Sequence, residues 1–401
     1  MRGHIVNGKQ LYRVLFIIGI ILFLLVDCTT SNISFISAAA GLIKRYSLHY
    51  NFILAVTIFA FIDRKGRIIL GDSINYLIPP VVFAIITLIF QTFNGFKSYS
   101  ISELTYLFIP ILVYIGFINE DRDKVKTIMD TYFYLFIIFF FIKQGTQLSW
   151  NNIKSISFVN SYSAFESKYA YYSVILMVYY IFKKDKTKTI ASFLLCALSL
   201  KRVSLLFAII YLIFSKRIPC NKAISKRLFY YTVIGFCIAP ILIQIVCNEQ
   251  FGTFFYNLFG LNLNAFMKGR VSRIYAVLNS DEIKYGWGST TNYLSTHLWT
   301  FAANPSYFEN GVINVHCDIL RIYLECTIIG TVVFTYCNFK AVKDNWCCYL
   351  IMLYLFTDML VNHHLGSGKV FLWIFTYTTI YSIKKESKSA SISAQEEHYN
   401  G

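Results

Sequence analysis

Long apolar runs, separated by short polar segments, dominate the pattern of hydrophobic and polar positions along this chain. A helix that crosses a bilayer needs roughly 17–25 apolar residues, or fewer when it packs inside a bundle. The pair 189–200 and 203–214 is short for two crossings, and 33–43 is too short to span, so we expect 33–43 to be external or re-entrant. The twelve predicted spans are 11–27, 47–62, 76–93, 101–118, 128–142, 169–182, 189–200, 203–214, 228–247, 319–339, 346–362 and 370–383.

Composition indicates an all-α polytopic membrane protein. Of the 401 residues, 56% are hydrophobic and 14% are charged, whereas a soluble domain carries about 25% charged residues. A net charge of +16 would favour nucleic-acid binding in a soluble protein, but membrane proteins concentrate Lys and Arg in cytoplasmic loops, so we expect no nucleic-acid partner. The ten cysteines show no metal-ligand spacing, and we expect neither zinc nor a disulfide framework.

The distribution of basic residues predicts the orientation. If both termini are cytoplasmic, the cytoplasmic segments hold 23 of the 37 Lys and Arg residues, although most of the loop length lies outside. The predicted organisation is an N-terminal bundle of about nine helices (1–247), a large periplasmic loop (248–318), C-terminal helices (319–383) and a polar, disordered cytoplasmic tail (384–401). Such a large loop is usually functional, so we expect the chemistry there.

A basic turn, Lys201–Arg202, separates two of the short apolar runs. The basic clusters on either side, 183–188 and 216–227, already occupy the cytoplasmic side, so this turn is predicted to be external. It is an anchoring pair at a helix end, a buried pair within one long helix, or a fixed cationic site for an anionic ligand at the membrane surface.

Charged residues also begin the helix that returns to the membrane after the large loop. Asp318, Arg321 and Glu325 share one helix face. Glu325 needs a partner inside a membrane, and Arg321 is the obvious one, either as a structural ion pair or within a site. His316, just before this helix, can exchange a proton near neutral pH and is a candidate general base, which Asp318 could orient.

The loop itself contains a predicted amphipathic helix with Arg270 and Arg273 on one face, followed by a flexible Gly-Trp-Gly turn. These arginines either attract anionic lipid headgroups or, together with Arg202, bind the oxygens of a diphosphate. The sequence contains no phosphate-binding glycine loop and no metal motif. The pair His363–His364 is interpreted as part of an external loop, and no role is assigned to three acidic residues near span ends, Asp27, Glu103 and Asp358.

The order and spacing of these motifs over about 200–330 resemble the superfamily of O-antigen polymerases and O-antigen ligases. SLKRVSLL resembles the family's S-R-T-x-L-L turn, with Arg202 in the arginine's place. GRVSRIYAVLN followed by GWGS resembles the family's G-R-x-x-x-W…G-x-G stretch and places Arg270 on the loop arginine.

The third motif begins the helix after the loop. HCDILRIYLECTIIG, from His316 to Gly330, resembles the ligase motif H-N-x(9)-G-x-x-G, although Cys317 replaces the asparagine and Thr327 replaces the first glycine. The H-x-D-x-x-R arrangement within it looks more like the polymerases.

The resemblance implies a GT-C-like fold and a glycosyltransferase that needs no metal or other cofactor. Its substrates would be an undecaprenyl-diphosphate-linked oligosaccharide donor and a lipid-linked acceptor, at the periplasmic face of the bacterial inner membrane. A chain-length regulator and a flippase would be partners, besides the phospholipid bilayer. Arginines suit the charge that develops on a departing diphosphate. The predicted catalytic residues are Arg202, Arg270 and His316, the predicted substrate ligands are Lys201, Arg273 and Asp318, and the predicted structural pair is Arg321 with Glu325.

Three rival functions stay open. An O-antigen ligase would use the same donor and differ only in its acceptor, the lipid A core. A flippase for the lipid-linked oligosaccharide would need no histidine in a large loop and would spread charge through several helix interiors. A membrane acyltransferase would carry its histidine and arginine on other helices.

Overall fold

The computed structural model describes residues 8–29, 31, 33–63, 68–120, 125–156, 163–220, 222–267, 269–280, 285–297 and 315–400. Within these ranges the long elements are all α-helices. In chain order they are α1 (Gly8–Val26), α2 (Ser34–Arg45), α3 (Leu48–Asp63), α4 (Ser73–Asn94), α5 (Ser98–Glu120), α6 (Val125–Gln144), α7 (Trp150–Lys154), α8 (Tyr169–Phe182), α9 (Lys186–Ser199), α10 (Arg202–Phe214), α11 (Lys226–Val246), α12 (Glu249–Phe259), α13 (Leu263–Phe266), α14 (Arg270–Leu278), α15 (Ser289–Thr296), α16 (Asp318–Val342), α17 (Trp346–Asp358) and α18 (Val370–Asn400).

Each of the twelve predicted spans overlaps a helix of the structure. Among the described residues, five helices are long and apolar enough to cross a membrane: α4, α5, α6, α11 and α16. A sixth candidate is the pair formed by α2 and α3, which is bent by 63°, and α1, α8, α10 and α17 are apolar but shorter. The protein is therefore all-helical, with the long apolar helices of a membrane-embedded protein, and the count of twelve crossings stays a prediction.

Helix α8 lies at the centre of the bundle. Every residue from Tyr169 to Ile181 is buried, as expected for a helix that is apolar on all sides. It packs against α9, α10, α17 and α18. Asp185 lies between α8 and α9 and caps the N-terminus of α9. Its carboxylate accepts a hydrogen bond from the backbone N–H of Lys188 at 3.0 Å.

Helix α16 is broken at Thr327, whose φ is 64° and ψ is −176°. This backbone region is almost confined to glycine, and position 327 is where the resembling ligase motif carries one. The break frees the carbonyl of Glu325, which accepts a hydrogen bond from the N–H of Gly286 at 2.8 Å. Gly330 follows where helices pack closely, since a Cβ there would lie 3.3 Å from the Phe83 ring.

The prediction of a disordered tail after 384 is wrong for 384–400, where α18 continues as a helix. This segment contains no Gly or Pro and many good helix formers. Its first turns are also held by side chains from other helices. Lys183 lies 2.6 Å from Glu386, and the amide of Asn345 donates to the hydroxyl of Ser387 at 3.0 Å.

Candidate functional site

The candidate site lies where four parts of the chain meet. These are the turn before α10, the loop helices α13 and α14, the beginning of α16, and the segment that joins α17 to α18 (359–369). The first three carry the residues predicted from sequence. The fourth carries His363 and His364, to which the sequence had suggested no role.

Two arginines fix the loop helices against the rest of the site. The guanidinium of Arg202 lies 5.1 Å from the ring centre of Phe266 and donates to the Phe266 carbonyl at 3.5 Å. Arg270 begins α14 directly after Gly269, whose φ of 75° suits glycine. Its guanidinium donates to the side-chain oxygen of Asn362 at 3.1 Å. The basic turn and the loop are therefore parts of one surface.

The electrostatics of Arg270 reflect this crowding. Burial lowers its pKa, and the positive charges of Arg273 and Arg202 lower it further, whereas Tyr171 and Asp358 raise it. Arg202, Arg270 and Arg273 therefore lie close enough for their positive charges to repel one another.

His316 lies beside these arginines in a strained backbone conformation, with φ at 55°. Burial lowers its pKa to about 3, and the neighbouring charges of Arg273 and Arg270 contribute in the same direction. Asp318 opposes the shift but does not overcome it. At neutral pH the ring is therefore uncharged and can donate or accept a hydrogen bond.

The sequence suggested that Asp318 could orient His316. In the structure its side-chain hydrogen bonds go instead to the segment between α17 and α18. One carboxylate oxygen lies 2.8 Å from Nδ1 of His363. The other oxygen accepts hydrogen bonds from the backbone N–H groups of His364 and Leu365. The carboxylate is buried, and these bonds fix both the segment and the His363 ring.

A second acid–histidine pair lies next to the first. Asp358 and His364 are both fully buried, and an Asp358 oxygen contacts Nε2 of His364. The other carboxylate oxygen of Asp358 accepts from the amide of Asn362 at 2.9 Å. Because Asn362 also accepts a hydrogen bond from Arg270, Asp358 helps to fix the position of the arginine through Asn362.

Arg321 occupies the centre of an adjoining buried network. Its Nε donates to both oxygens of Glu325 at 3.1 Å, and one terminal nitrogen donates to the Leu365 carbonyl at 2.8 Å. The other lies 3.1 Å from Glu103 on α5. The guanidinium also stacks over the Trp287 ring at 4.2 Å. Its donors are thus distributed over three elements of the fold.

Glu325 anchors the Gly-Trp-Gly turn of the loop. Its carboxylate accepts from the N–H of Gly288 at 2.7 Å, and from both the N–H and the hydroxyl of Thr290. Trp287 is buried beneath this turn, and its backbone N–H donates to the Thr87 hydroxyl at 2.9 Å. The Gly-Trp-Gly turn is therefore tied into the helical bundle.

Lysines form the edge of the site around α8. Lys201 pairs with Glu166, Lys168 pairs with Asp27, and Lys369 lies 4.5 Å above the Tyr171 ring. The predicted ligand Lys201 is thus neutralised by an acid in the structure, which weakens the case that it binds an anion.

The structure brings together Arg202, Arg270, Arg273, His316 and Asp318, and Leu365 links Asp318 to the Arg321–Glu325 network. Comparisons with protein-family models, curated proteins and solved structures give no match to this chain. The resemblance drawn from the sequence therefore depends on the quoted motifs alone. Function has to be argued from the geometry of the site.

Four residues of the site were missed from the sequence: Glu103, Asp358, His363 and His364. Each lies at a helix end or in a short connection, where a polar residue is ordinary and carries no pattern. In the described part of the chain, no group of three His, Cys, Asp or Glu residues is arranged to hold a metal ion. What the arrangement offers is a cationic surface beside a neutral histidine and a carboxylate-bound histidine.

Proposed function

We propose that this chain is a glycosyltransferase of the O-antigen polymerase type. It would join undecaprenyl-diphosphate-linked repeat units at the periplasmic face of a bacterial inner membrane, with a GT-C-like arrangement of about twelve crossings and both termini in the cytoplasm. The observation that carries the proposal is the convergence of Arg202, Arg270 and Arg273 beside His316 and the Asp318–His363 pair.

The arginines suit the donor half of the reaction. When the bond between the sugar and the diphosphate breaks, negative charge accumulates on the departing phosphate oxygens. Guanidinium groups bind such oxygens through paired hydrogen bonds, and fixed positive charge stabilises the transition state more than the ground state. Arg270 is the best placed, because Asn362 already fixes its orientation.

The acceptor half requires a group that removes a hydroxyl proton. A flippase for the same lipid-linked oligosaccharide has no such requirement, and a histidine held by a buried carboxylate favours the enzyme over the transporter. A ligase would need the same chemistry with lipid A core as acceptor. The two enzymes differ in product, so the experiment has to identify the product.

The test is complementation of a strain from which the gene has been deleted. We expect Arg270→Gln and Arg202→Gln to leave the protein at normal membrane levels but to yield surface lipopolysaccharide capped with a single repeat unit. Arg217→Gln is the matched control, because Arg217 is exposed and lies beyond the opposite end of α10; it should preserve the polymer ladder.

Three other outcomes would contradict the proposal in different ways. A persistent ladder in both site variants would remove the role of the arginines. Loss of all repeat units from the core, with accumulation of lipid-linked polymer, would identify a ligase. Retention of the lipid-linked repeat unit on the cytoplasmic face of the deletion strain would identify a flippase.

A further inference from the structure

At the candidate site a buried carboxylate holds the ring of His363. Nδ1 of His363 lies 2.8 Å from a carboxylate oxygen of Asp318. The side chain of Asp318 is only 1% exposed, and that of His363 is 14% exposed. One edge of the ring thus contacts a buried anion, and His363 lies close enough to His316 to contribute to the lowering of its pKa.

The carboxylate of Asp318 is itself held in place. Its second oxygen accepts from the N–H groups of His364 and Leu365, the two residues that follow His363. The carboxylate therefore cannot rotate away from the ring, and it cannot bind the tautomer of His363 in which Nδ1 lacks a hydrogen. Nδ1 must carry the hydrogen, and the lone pair of the neutral ring is placed on Nε2.

The Nε2 edge of the His363 ring lies beside Gly366. A Cβ added at this glycine would come within 2.6 Å of Nε2 and 3.2 Å of Cε1 of His363. The absence of a side chain at 366 therefore leaves the ring its place. The φ of 172° at Gly366 is extended backbone that any residue can adopt, so backbone geometry does not explain this glycine.

His316 has the opposite environment. It faces Arg270 and Arg273, and its pKa is lowered to about 3, mainly by burial. A ring with so weak an affinity for protons is a poor general base near neutral pH, because proton transfer is most efficient when the catalytic pKa lies near the working pH. It remains suited to a hydrogen bond with the substrate.

We propose that His363 is the catalytic base of this site, that Asp318 is its positioning residue, and that His316 is a neutral substrate ligand. The inference rests on the proposed glycosyl transfer. The hydroxyl proton of the acceptor sugar moves to Nε2 of His363, and the acceptor oxygen forms a bond to the anomeric carbon of the donor. The bond between that carbon and the diphosphate breaks, and its electron pair leaves on the diphosphate. The imidazolium stays paired with Asp318 until water takes the proton.

The first experiment measures turnover in membrane vesicles from the deletion strain that carry each variant. The probe is the undecaprenyl-diphosphate-linked repeat unit extracted from that same strain. We expect His363→Ala to lower kcat by about 100-fold or more, with partial recovery when imidazole is added. His316→Ala should mainly raise KM and show no recovery with imidazole. Asp318→Asn should lower kcat and leave KM unchanged, because it favours the wrong tautomer.

A second experiment displaces the ring without removing it. We expect Gly366→Ala to lower kcat by 10-fold or more, because the new methyl group would lie only 2.6 Å from Nε2 and would displace the ring. Gly368→Ala is the matched control, since a Cβ there meets nothing within 4 Å, and it should keep wild-type turnover. Both variants must accumulate to wild-type levels in the membrane.

Wild-type turnover in His363→Ala, or imidazole recovery in His316→Ala alone, would overturn the inference and leave the proposed function standing. If wild-type vesicles do not extend the extracted repeat unit at all, the proposed function fails instead. The two failures are therefore distinguishable in the same set of assays.

Discussion

Replacing Arg321 by methionine should destabilise the protein strongly. The substitution keeps most of the side-chain volume but removes the hydrogen bonds to Glu325, Glu103 and the Leu365 carbonyl. It also removes the contact with the face of Trp287. Two carboxylates that shared one guanidinium then have to be accommodated without it.

The magnitude depends mainly on Glu325. Removing one partner of a buried ion pair costs about 3–5 kcal/mol, because the other charge is left buried. Glu103 is 20% exposed and can be hydrated, whereas Glu325 is fully buried. Glu325 keeps the hydrogen bonds from Gly288 and Thr290, which offset part of the loss. We therefore expect about 3 kcal/mol, the lower end of that range, or roughly a 100-fold change in the folding equilibrium.

The assay is a denaturant titration of the purified protein in detergent micelles, followed by tryptophan fluorescence. The matched control combines Arg321→Met with Glu325→Gln and Glu103→Gln. It removes the stranded charges, and a neutral replacement of a buried ion pair is often close to neutral in stability. Two results would refute the reasoning that Arg321 neutralises buried carboxylates. One is a free energy of unfolding for Arg321→Met within about 1 kcal/mol of the wild-type value. The other is a triple variant that is no more stable than Arg321→Met.

Three further predictions concern stability in the same detergent assay. Thr327→Gly should stabilise the protein by about 1 kcal/mol or more, because φ at this position is 64°, and an unchanged or lower stability would contradict the strain. Gly288→Ala should destabilise it, since φ is 91° and a Cβ would lie 3.1 Å from side chains of α5. His316 has a pKa of 6.5 in the unfolded chain and of about 3 in the folded protein. The wild-type free energy of unfolding should therefore fall as the pH drops from about 7 towards 3, by at most about 1.4 kcal/mol per pH unit. His316→Gln should show a shallower fall.

The helices of the bundle could largely be predicted from sequence, because most apolar runs are long enough to be recognised without knowledge of their neighbours, although 189–200 and 203–214 are short. The break within α16 could not. The residues around Thr327 do not themselves predict a positive φ inside a helix, and a β-branched residue argues against one. The tail after 384 was also misjudged, because its polar composition concealed helix-forming residues that dock through Glu386.

For the site, the sequence identified the residues whose neighbours carry a pattern. Arg202 interrupts an apolar region, and Arg270 lies on an amphipathic helix. Glu103 had no such signal, because its partner Arg321 lies 218 positions away in the chain. His363 was equally hidden, since its importance comes from contact with Asp318 across 45 residues. Pairings of that kind are created by tertiary packing and leave no local trace.

The order in which the chain is synthesised acquires significance from the charges on α16. Released alone into a bilayer, a helix that carries Arg321 and Glu325 in its first two turns would be penalised for both charges, by less than the about 2.5–3.5 kcal/mol of a charge at the helix centre. Every stabilising partner on α5 and in the Gly288–Thr290 turn precedes it in the chain. The N-terminal helices would thus already be assembled as a receptor for α16, and an N-terminal truncation that extends past Glu103 would remove a counter-charge of Arg321.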